Sequence, residues 1–415
     1  MKYNLVVIGG GPAGLAAAIS AKKSGLDKIL ILEREHHLGG ILNQCIHTGF
    51  GIHYFDKELT GPEYAKIFID QIQQERISYK TGTTVMDITD DQQVIAMNDQ
   101  DGIMEISAEA VLLAMGCRER PRGALDIAGS RPTGVITAGS AQKMINIKGH
   151  HVGERILILG SGDIGLIMAR RLTLEGKKVI AVIERMPYSN GLKRNIVQCL
   201  DDFNIPLLLS HTITEIKGDS RVESVVVHQV DNGFNIIKNT EKHYQCDTVL
   251  MSVGLIPEME LGKSIGLDMD GQTNGAVVND FMQCSKEWVF ACGNVLHVHD
   301  LVDYVTIESE KAGAAAAEYV LNTKPFNDSS INVTGTSPVV HVVPQKILLG
   351  EGPLEIFFRT NRIVENAKVQ VKLEDRIIKT GQVMYISPGE MQKIEIDKQS
   401  IADVKASLEI CVTEA

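Results

Sequence analysis

Short runs in which nearly every residue is apolar recur along this chain, and several end in glycine. Residues 4–8, 28–32, 110–116, 155–159, 179–183, 248–254 and 288–294 are of this kind. Such runs mark strands buried on both faces, as in a parallel sheet. Amphipathic stretches between them predict helices over 12–24, near 62–76 and over 304–321, the last rich in alanine (Ala312, Ala314 to Ala317). Further strands are expected at 78–83, 85–89, 93–98 and 104–107. From about residue 325 the pattern becomes strictly alternating, at 368–373 and 407–412, with a turn at Pro388-Gly389. Period-two patterning of this sort predicts half-buried antiparallel strands in a small sandwich.

Two of the strand ends carry the same glycine-rich turn, about 150 residues apart. Gly9-Gly10-Gly11-Pro12-Ala13-Gly14 follows the first apolar run, and Gly160-Ser161-Gly162-Asp163-Ile164-Gly165 follows residues 155–159. Nineteen positions after each last glycine, closing the next apolar run, stands a glutamate: Glu33 and Glu184. The first glycine permits the tight turn, the second lets backbone approach a pyrophosphate, and the third lets helix and strand pack closely. The helix N-terminus faces the phosphates with unpaired N–H groups, and the carboxylate accepts hydrogen bonds from a ribose. Two full copies at matching spacing imply two dinucleotide cofactors. The predicted fold is α/β: two Rossmann-like domains, the second inserted in the first, plus a C-terminal β-rich domain. The expected boundaries are 1–118 with 251–325, 119–250, and 326–415.

The chain's 415 residues suffice for two or three domains. Its net charge of −11 argues against a nucleic-acid binder and fits small-molecule ligands. No apolar run approaches the ~20 residues that span a bilayer. Met1 is followed almost at once by the first run, so no signal peptide is expected. Seven cysteines, none in a Cys-x-x-Cys pair, fit a reduced, cytoplasmic protein. No metal-ligand spacing appears, so no metal is expected.

On these motifs residues 1–325 resemble the two-dinucleotide-binding-domain flavoproteins, the pyridine nucleotide-disulfide oxidoreductase superfamily. In that family the first turn holds FAD and the second NAD(P)H, and a late strand ending in Gly-Asp holds the ribityl chain and pyrophosphate. Here that marker reads Gly293-Asn294, which retains an acceptor and loses a charge. Four segments are similar to bacterial flavoproteins found beside glycerol-3-phosphate dehydrogenases, and to the small flavin subunits of opine oxidases and hydrogen cyanide synthase. They begin Gly39-Gly40-Ile41, Leu59-Thr60-Gly61, Cys117-Arg118-Glu119 and Gly293-Asn294-Val295. The resemblance implies an FAD-dependent oxidoreductase that exchanges hydride with NAD(H) and electrons with a partner dehydrogenase subunit, of the glycerol-3-phosphate or amino-acid/opine type. A homo-oligomer is compatible with it. Disulfide reductases of the family keep two cysteines beside the flavin. Here Cys45 is the one cysteine after Gly39-Gly40, and Cys199 has none at near spacing, so a dithiol relay is not expected. The His-and-Glu interface pattern of glutathione reductases is also missing from the C-terminal region. A stand-alone NADH oxidase and a non-catalytic FAD-binding assembly or sensor protein are the competing readings.

The resemblance places FAD against Gly9, Gly11, Pro12, Ala13, Gly14, Glu33, Gly39, Gly40, Val85, Gly116, Gly293, Asn294 and Thr306. The helix starting near Val305-Thr306 is expected to aim its N-terminus at the flavin pyrimidine, where reduced flavin is anionic. The nicotinamide nucleotide falls on Gly160, Gly162, Ile164, Gly165 and Glu184. A carboxylate at the ribose repels a 2′-phosphate and favours NAD; Arg185 next to it keeps NADP open. Cys45, His47 and His299 are the catalytic candidates. Cys45 is either a flavin-tuning thiol or inert packing. His47, His53, His297 and His299, in loops the family puts near FAD, are proton donors or satisfied structural histidines. His36-His37 and His150-His151 read as solvated. Arg118, Arg120 and Arg122 are either a phosphate or partner contact, or ordinary surface residues.

Overall fold

A computed structural model describes residues 2–322, 330–374, 376–401 and 406–414. The chain divides into two compact units, Met1–Cys117 with Pro257–Ala415, and Arg118–Ile256. The expected boundary at 325–326 lies outside the described residues.

In the first unit Lys2–Ile8 runs parallel between Ile29–Leu32 and Gly102–Leu113, with Ser78–Lys80 and Val289–Ala291 continuing the parallel sheet outwards. Leu5, Val6, Val7, Ile31, Val111, Leu112 and Phe290 have no exposed surface, which is why these runs carry no polar alternation. The strands expected at 104–107 and 110–116 are one strand, Gly102–Leu113, which ends three residues before Gly116. No breaker interrupts it: Glu105, Ser107 and Glu109 alternate with buried Met104, Ile106 and Ala108. Its first half pairs antiparallel with Gln93–Asn98, which pairs with Thr84–Ile88.

Helix Pro12–Lys23 packs on helix Val302–Leu321 through small side chains. At Gly313 a Cβ would lie 2.0 Å from the Ala17 carbonyl oxygen, so the backbones touch where the sequence is alanine-rich. Helix Gly61–Gln74 opens with a capping box, in which the Thr60 amide donates to Glu63 (2.8 Å) and the Glu63 amide to the Thr60 hydroxyl (3.4 Å).

The C-terminal strands of this unit form a five-stranded and a three-stranded sheet. Val333, Val369, Val371 and Ile410 from one and Val342, Ile356, Phe358 and Ile394 from the other share one apolar core.

The second unit has its own parallel sheet, in the order Val135–Thr137, Thr248–Met251, Arg155–Leu159, Lys178–Ile183, Leu207–Leu208. A second sheet pairs Ala128–Gly129, His211–Lys217, Ser224–Gln229 and Lys242–Gln245. No described helix is long and apolar enough to cross a membrane.

Candidate functional site

Each glycine turn lies between a buried central strand and the helix that follows it. Gly9 has φ +107°, and a Cβ there would meet the Ala114 carbonyl oxygen at 2.3 Å; one at Gly14 would meet the Gly9 carbonyl oxygen at 1.9 Å. The fold itself therefore requires glycine at both positions. Gly11 differs. Its φ of −79° suits any residue, and a Cβ would find no protein atom nearer than Gly40 Cα at 3.8 Å. The second turn repeats the contrast. Gly160 (φ +97°) would collide with the Ser252 carbonyl at 2.0 Å, whereas Gly162 (φ −66°) would meet nothing nearer than 3.4 Å. Middle glycines that the chain does not need leave open backbone at a helix N-terminus, the cradle a pyrophosphate requires.

Both glutamates are buried and clamped by backbone. Glu33 accepts from the amides of Gly10 and Glu35, at 2.7 Å each. Glu184 accepts from the Ser161 amide (2.9 Å), the Ser161 hydroxyl (2.6 Å) and the Met186 amide (2.9 Å). Each carboxylate is thus fixed beside its turn with acceptor capacity left for a ribose hydroxyl. The sequence gives no sign of the residues that hold this geometry. Ser161 occupies a position open to any residue, and Ser252, whose hydroxyl accepts from the Gly165 amide (3.1 Å), follows the strand Thr248–Met251, 87 residues on. Ile164 packs partly against the core of the second unit. Arg185 lies over the Phe234 ring, 4.4 Å from its centroid.

Around the first turn the structure gathers most of the expected positions. The Gly39 amide donates to the Gly10 carbonyl (2.8 Å), and Gly40 rests against Gly11. Pro12 opens the helix and Ala13 is buried against Gly293, whose Cβ would lie 2.8 Å from that of Ala13. Gly116 (φ +72°) faces open space. Val85 lies two residues beyond Thr83, whose amide donates to the Glu33 carbonyl (2.8 Å). The Asn294 carboxamide oxygen accepts from the His299 amide (3.0 Å), and its nitrogen faces Cys117 Sγ at 3.8 Å. The long helix begins at Val302, about one turn before the expected start near Val305-Thr306. Thr306 is accordingly buried inside the helix, its hydroxyl 2.7 Å from Tyr64 OH. Tyr64, distant in sequence, carries no signal of that contact.

The catalytic candidates do not share one environment. Cys45 Sγ lies 3.4 Å from the Ile41 carbonyl, and burial pushes its thiol up to about 12. His47 packs beside Phe50 and His53 beside Tyr304. His297 and His299 are buried together, ring centroids 4.1 Å apart, against Glu308. Burial raises the Glu308 carboxyl, but His299 and His297 beside it outweigh that and hold it well below the usual range. Burial and His299 lower the pKa of His297. His36, His37, His150 and His151 are exposed. Arg118 and Arg120 are exposed, and Arg122 donates to the Ser130 carbonyl (2.7 Å).

The family model described as pyridine nucleotide-disulphide oxidoreductase matches residues 3–312. The chain belongs to that family. Its members are flavoenzymes that bind FAD and NAD(P)H. Among curated relatives, hydrogen cyanide synthase subunit HcnB of Pseudomonas protegens is 24% identical over 319 residues, 71% of this chain and 66% of the relative. An NADH oxidase of Methanocaldococcus jannaschii is 28% identical over 318 residues, 73% of this chain and 64% of the relative. The chain thus spans just under two thirds of these relatives' lengths. The fold matches T. acidophilum thioredoxin reductase with a TM-score of 0.62 at 22% identity, over 78% of this chain and 99% of that one.

Proposed function

We propose that the chain is an FAD-dependent oxidoreductase that exchanges hydride with NAD(H) and passes electrons to a partner dehydrogenase subunit. The observation that carries the cofactor assignment is the pair of middle glycines, Gly11 and Gly162. Neither backbone angle nor neighbouring atoms demand glycine there, yet each stands at a helix N-terminus beside a fixed, buried glutamate. In this reading Gly11, Glu33, Gly39, Gly40, Gly293 and Asn294 hold FAD. Gly162, Gly165 and Glu184 hold the nicotinamide coenzyme, and the Glu184 carboxylate favours NAD by repelling a 2′-phosphate. The flavin, when bound, accepts a hydride and can release electrons singly or in pairs. The protein's part is to fix the ribose-binding carboxylates and turn helix N-termini towards the phosphates.

The partner follows from two supports. One curated relative is itself named as a subunit. The Cys45 thiol, raised to about 12, is poorly suited to the thiolate chemistry of a disulfide reductase. The named partner class, a glycerol-3-phosphate or amino-acid/opine dehydrogenase, rests on the segment likenesses given above. Purified chain should therefore be reduced quickly by NADH and reoxidised slowly by oxygen. Fast steady-state oxygen consumption by the chain alone would instead establish the oxidase reading, which the M. jannaschii relative favours.

A further inference from the structure

Behind the Gly293-Asn294 turn lies a cluster with no role in the reading above. His297 and His299 stand on the loop before the long helix, and Glu308 projects from that helix. Their side chains are 1%, 1% and 2% exposed. We propose that His297, His299 and Glu308 form a binding site for one divalent transition-metal ion of the zinc or ferrous class.

His299 Nδ1 faces the His297 carbonyl (3.1 Å) and the Asn294 carboxamide oxygen (3.3 Å), both acceptors, so Nδ1 carries the hydrogen. In the neutral ring Nε2 is then an unshared pair. It lies 3.3 Å from Glu308 Oε2, buried and with no hydrogen-bond partner among the described residues. The same Oε2 is 2.7 Å from His297 Nε2. Two ring nitrogens therefore converge on one carboxylate oxygen, and one of them turns electron density towards it. A cation among the three removes that conflict. Ligand atoms held about 2.0–2.2 Å from one ion lie roughly 3 Å from each other; here each ring nitrogen is 2.7 or 3.3 Å from the carboxylate oxygen, and all three ligand atoms fall within 4.8 Å.

The surroundings are those of a ligating set. Glu308 Oε1 accepts from the Gly293 amide (2.7 Å), which orients the carboxylate. The Nδ1 contact with a backbone carbonyl fixes the His299 tautomer so that Nε2 points inward. The 2.7 Å contact with Glu308 puts the His297 proton on Nε2; His297 Nδ1 has no hydrogen-bond partner among the described residues, so moving that proton to Nδ1 to free Nε2 for an ion breaks no other bond. Phe357, from the C-terminal strands, packs beside both imidazoles, with centroids at 6.1 and 6.4 Å, and forms an apolar wall. Two imidazoles and one carboxylate suit zinc or ferrous iron rather than magnesium or calcium, which take oxygen ligands. Three protein ligands leave a further position open. No short spacing motif flags the set, because it holds no cysteine and its third member lies nine residues beyond the second, on a helix.

The test uses the untagged full chain, stripped with a chelator, dialysed and titrated with Zn2+. Elemental analysis should find about one zinc per chain. Folded His299→Gln and Glu308→Gln should bind roughly tenfold more weakly or not at all, while His150→Gln, at an exposed site, binds as wild type. X-ray absorption at the zinc edge of wild-type protein decides the matter even where a variant does not fold. The expected spectrum shows imidazole and oxygen ligands at about 2.0–2.2 Å. Wild type that retains no stoichiometric zinc overturns the proposal, as do sulfur ligands in the spectrum or equal affinity in the folded variants. A buried polar cluster built on the Glu308 carboxylate and its Gly293 and His297 contacts would be left as the account.

Discussion

The backbone amide of Gly10 donates a 2.7 Å hydrogen bond to the buried carboxylate of Glu33. The turn that would cradle the phosphates and the side chain that would hold the ribose are thereby one rigid piece. Replacing Glu33 by Gln leaves either the Gly10 or the Glu35 amide facing an NH2 group. The expected cost is about 1–3 kcal/mol of stability, together with a fall in FAD content, read by denaturant unfolding and by the absorbance of the purified protein.

Gly9 and Gly11 separate folding from binding. Gly9→Ala drives a Cβ into the Ala114 carbonyl at a positive φ and should cost about 2–5 kcal/mol. Gly11→Ala meets only Gly40 Cα, at an ordinary contact distance of 3.8 Å, and should leave the apoprotein within about 1 kcal/mol of wild type. It should still lose FAD. Thermal unfolding of both apoproteins beside their flavin content checks the contrast.

This contrast also shows what the sequence makes legible. Spacing alone places both turns and both glutamates, because period and glycine position are local. Unbroken apolar runs place the central parallel strands for the same reason. Contacts set by the tertiary fold leave no such trace. Thr306 meets Tyr64 across 242 residues, and Ser252 reaches Gly165 across 87. The Asn294 acceptor is engaged by His299 because of a loop turn that no pattern marks. The long strand Gly102–Leu113 reads as two because its burial changes midway, from one face to both.

Cys45 should be unreactive. Burial disfavours its thiolate, so at pH 8 a thiol with a pKa of about 12 is ionised to roughly 1 part in 10⁴, against about a quarter for an ordinary one. Iodoacetamide labelling followed by mass spectrometry should modify it about 10³-fold more slowly in native than in unfolded protein. The folded value lies above the unfolded one. Its contribution to stability is therefore whole below about pH 8.5 and declines as pH rises towards 12. Labelling at the unfolded rate would restore Cys45 as a redox candidate.

Arg359 joins the C-terminal strands to the loop that follows the Gly293-Asn294 turn. It pairs with Asp300 and donates to the Val298 carbonyl (3.0 Å), while Asp300 accepts from the Met391 amide (2.6 Å). Arg359→Leu should lower stability by about 1–3 kcal/mol. Combined with Asp300→Asn, the loss should be less than the sum of the two, because both changes remove the same contact. Urea unfolding of the two single variants and the double variant measures the coupling.

The most direct test of the account is an anaerobic absorption spectrum of the purified chain, before and after NADH is added. The account predicts a yellow protein with one FAD per chain that bleaches on mixing with NADH, and bleaches less readily in Gly162→Ala. A chain that stays colourless after incubation with FAD, or whose bound flavin keeps its colour in excess NADH, would contradict it.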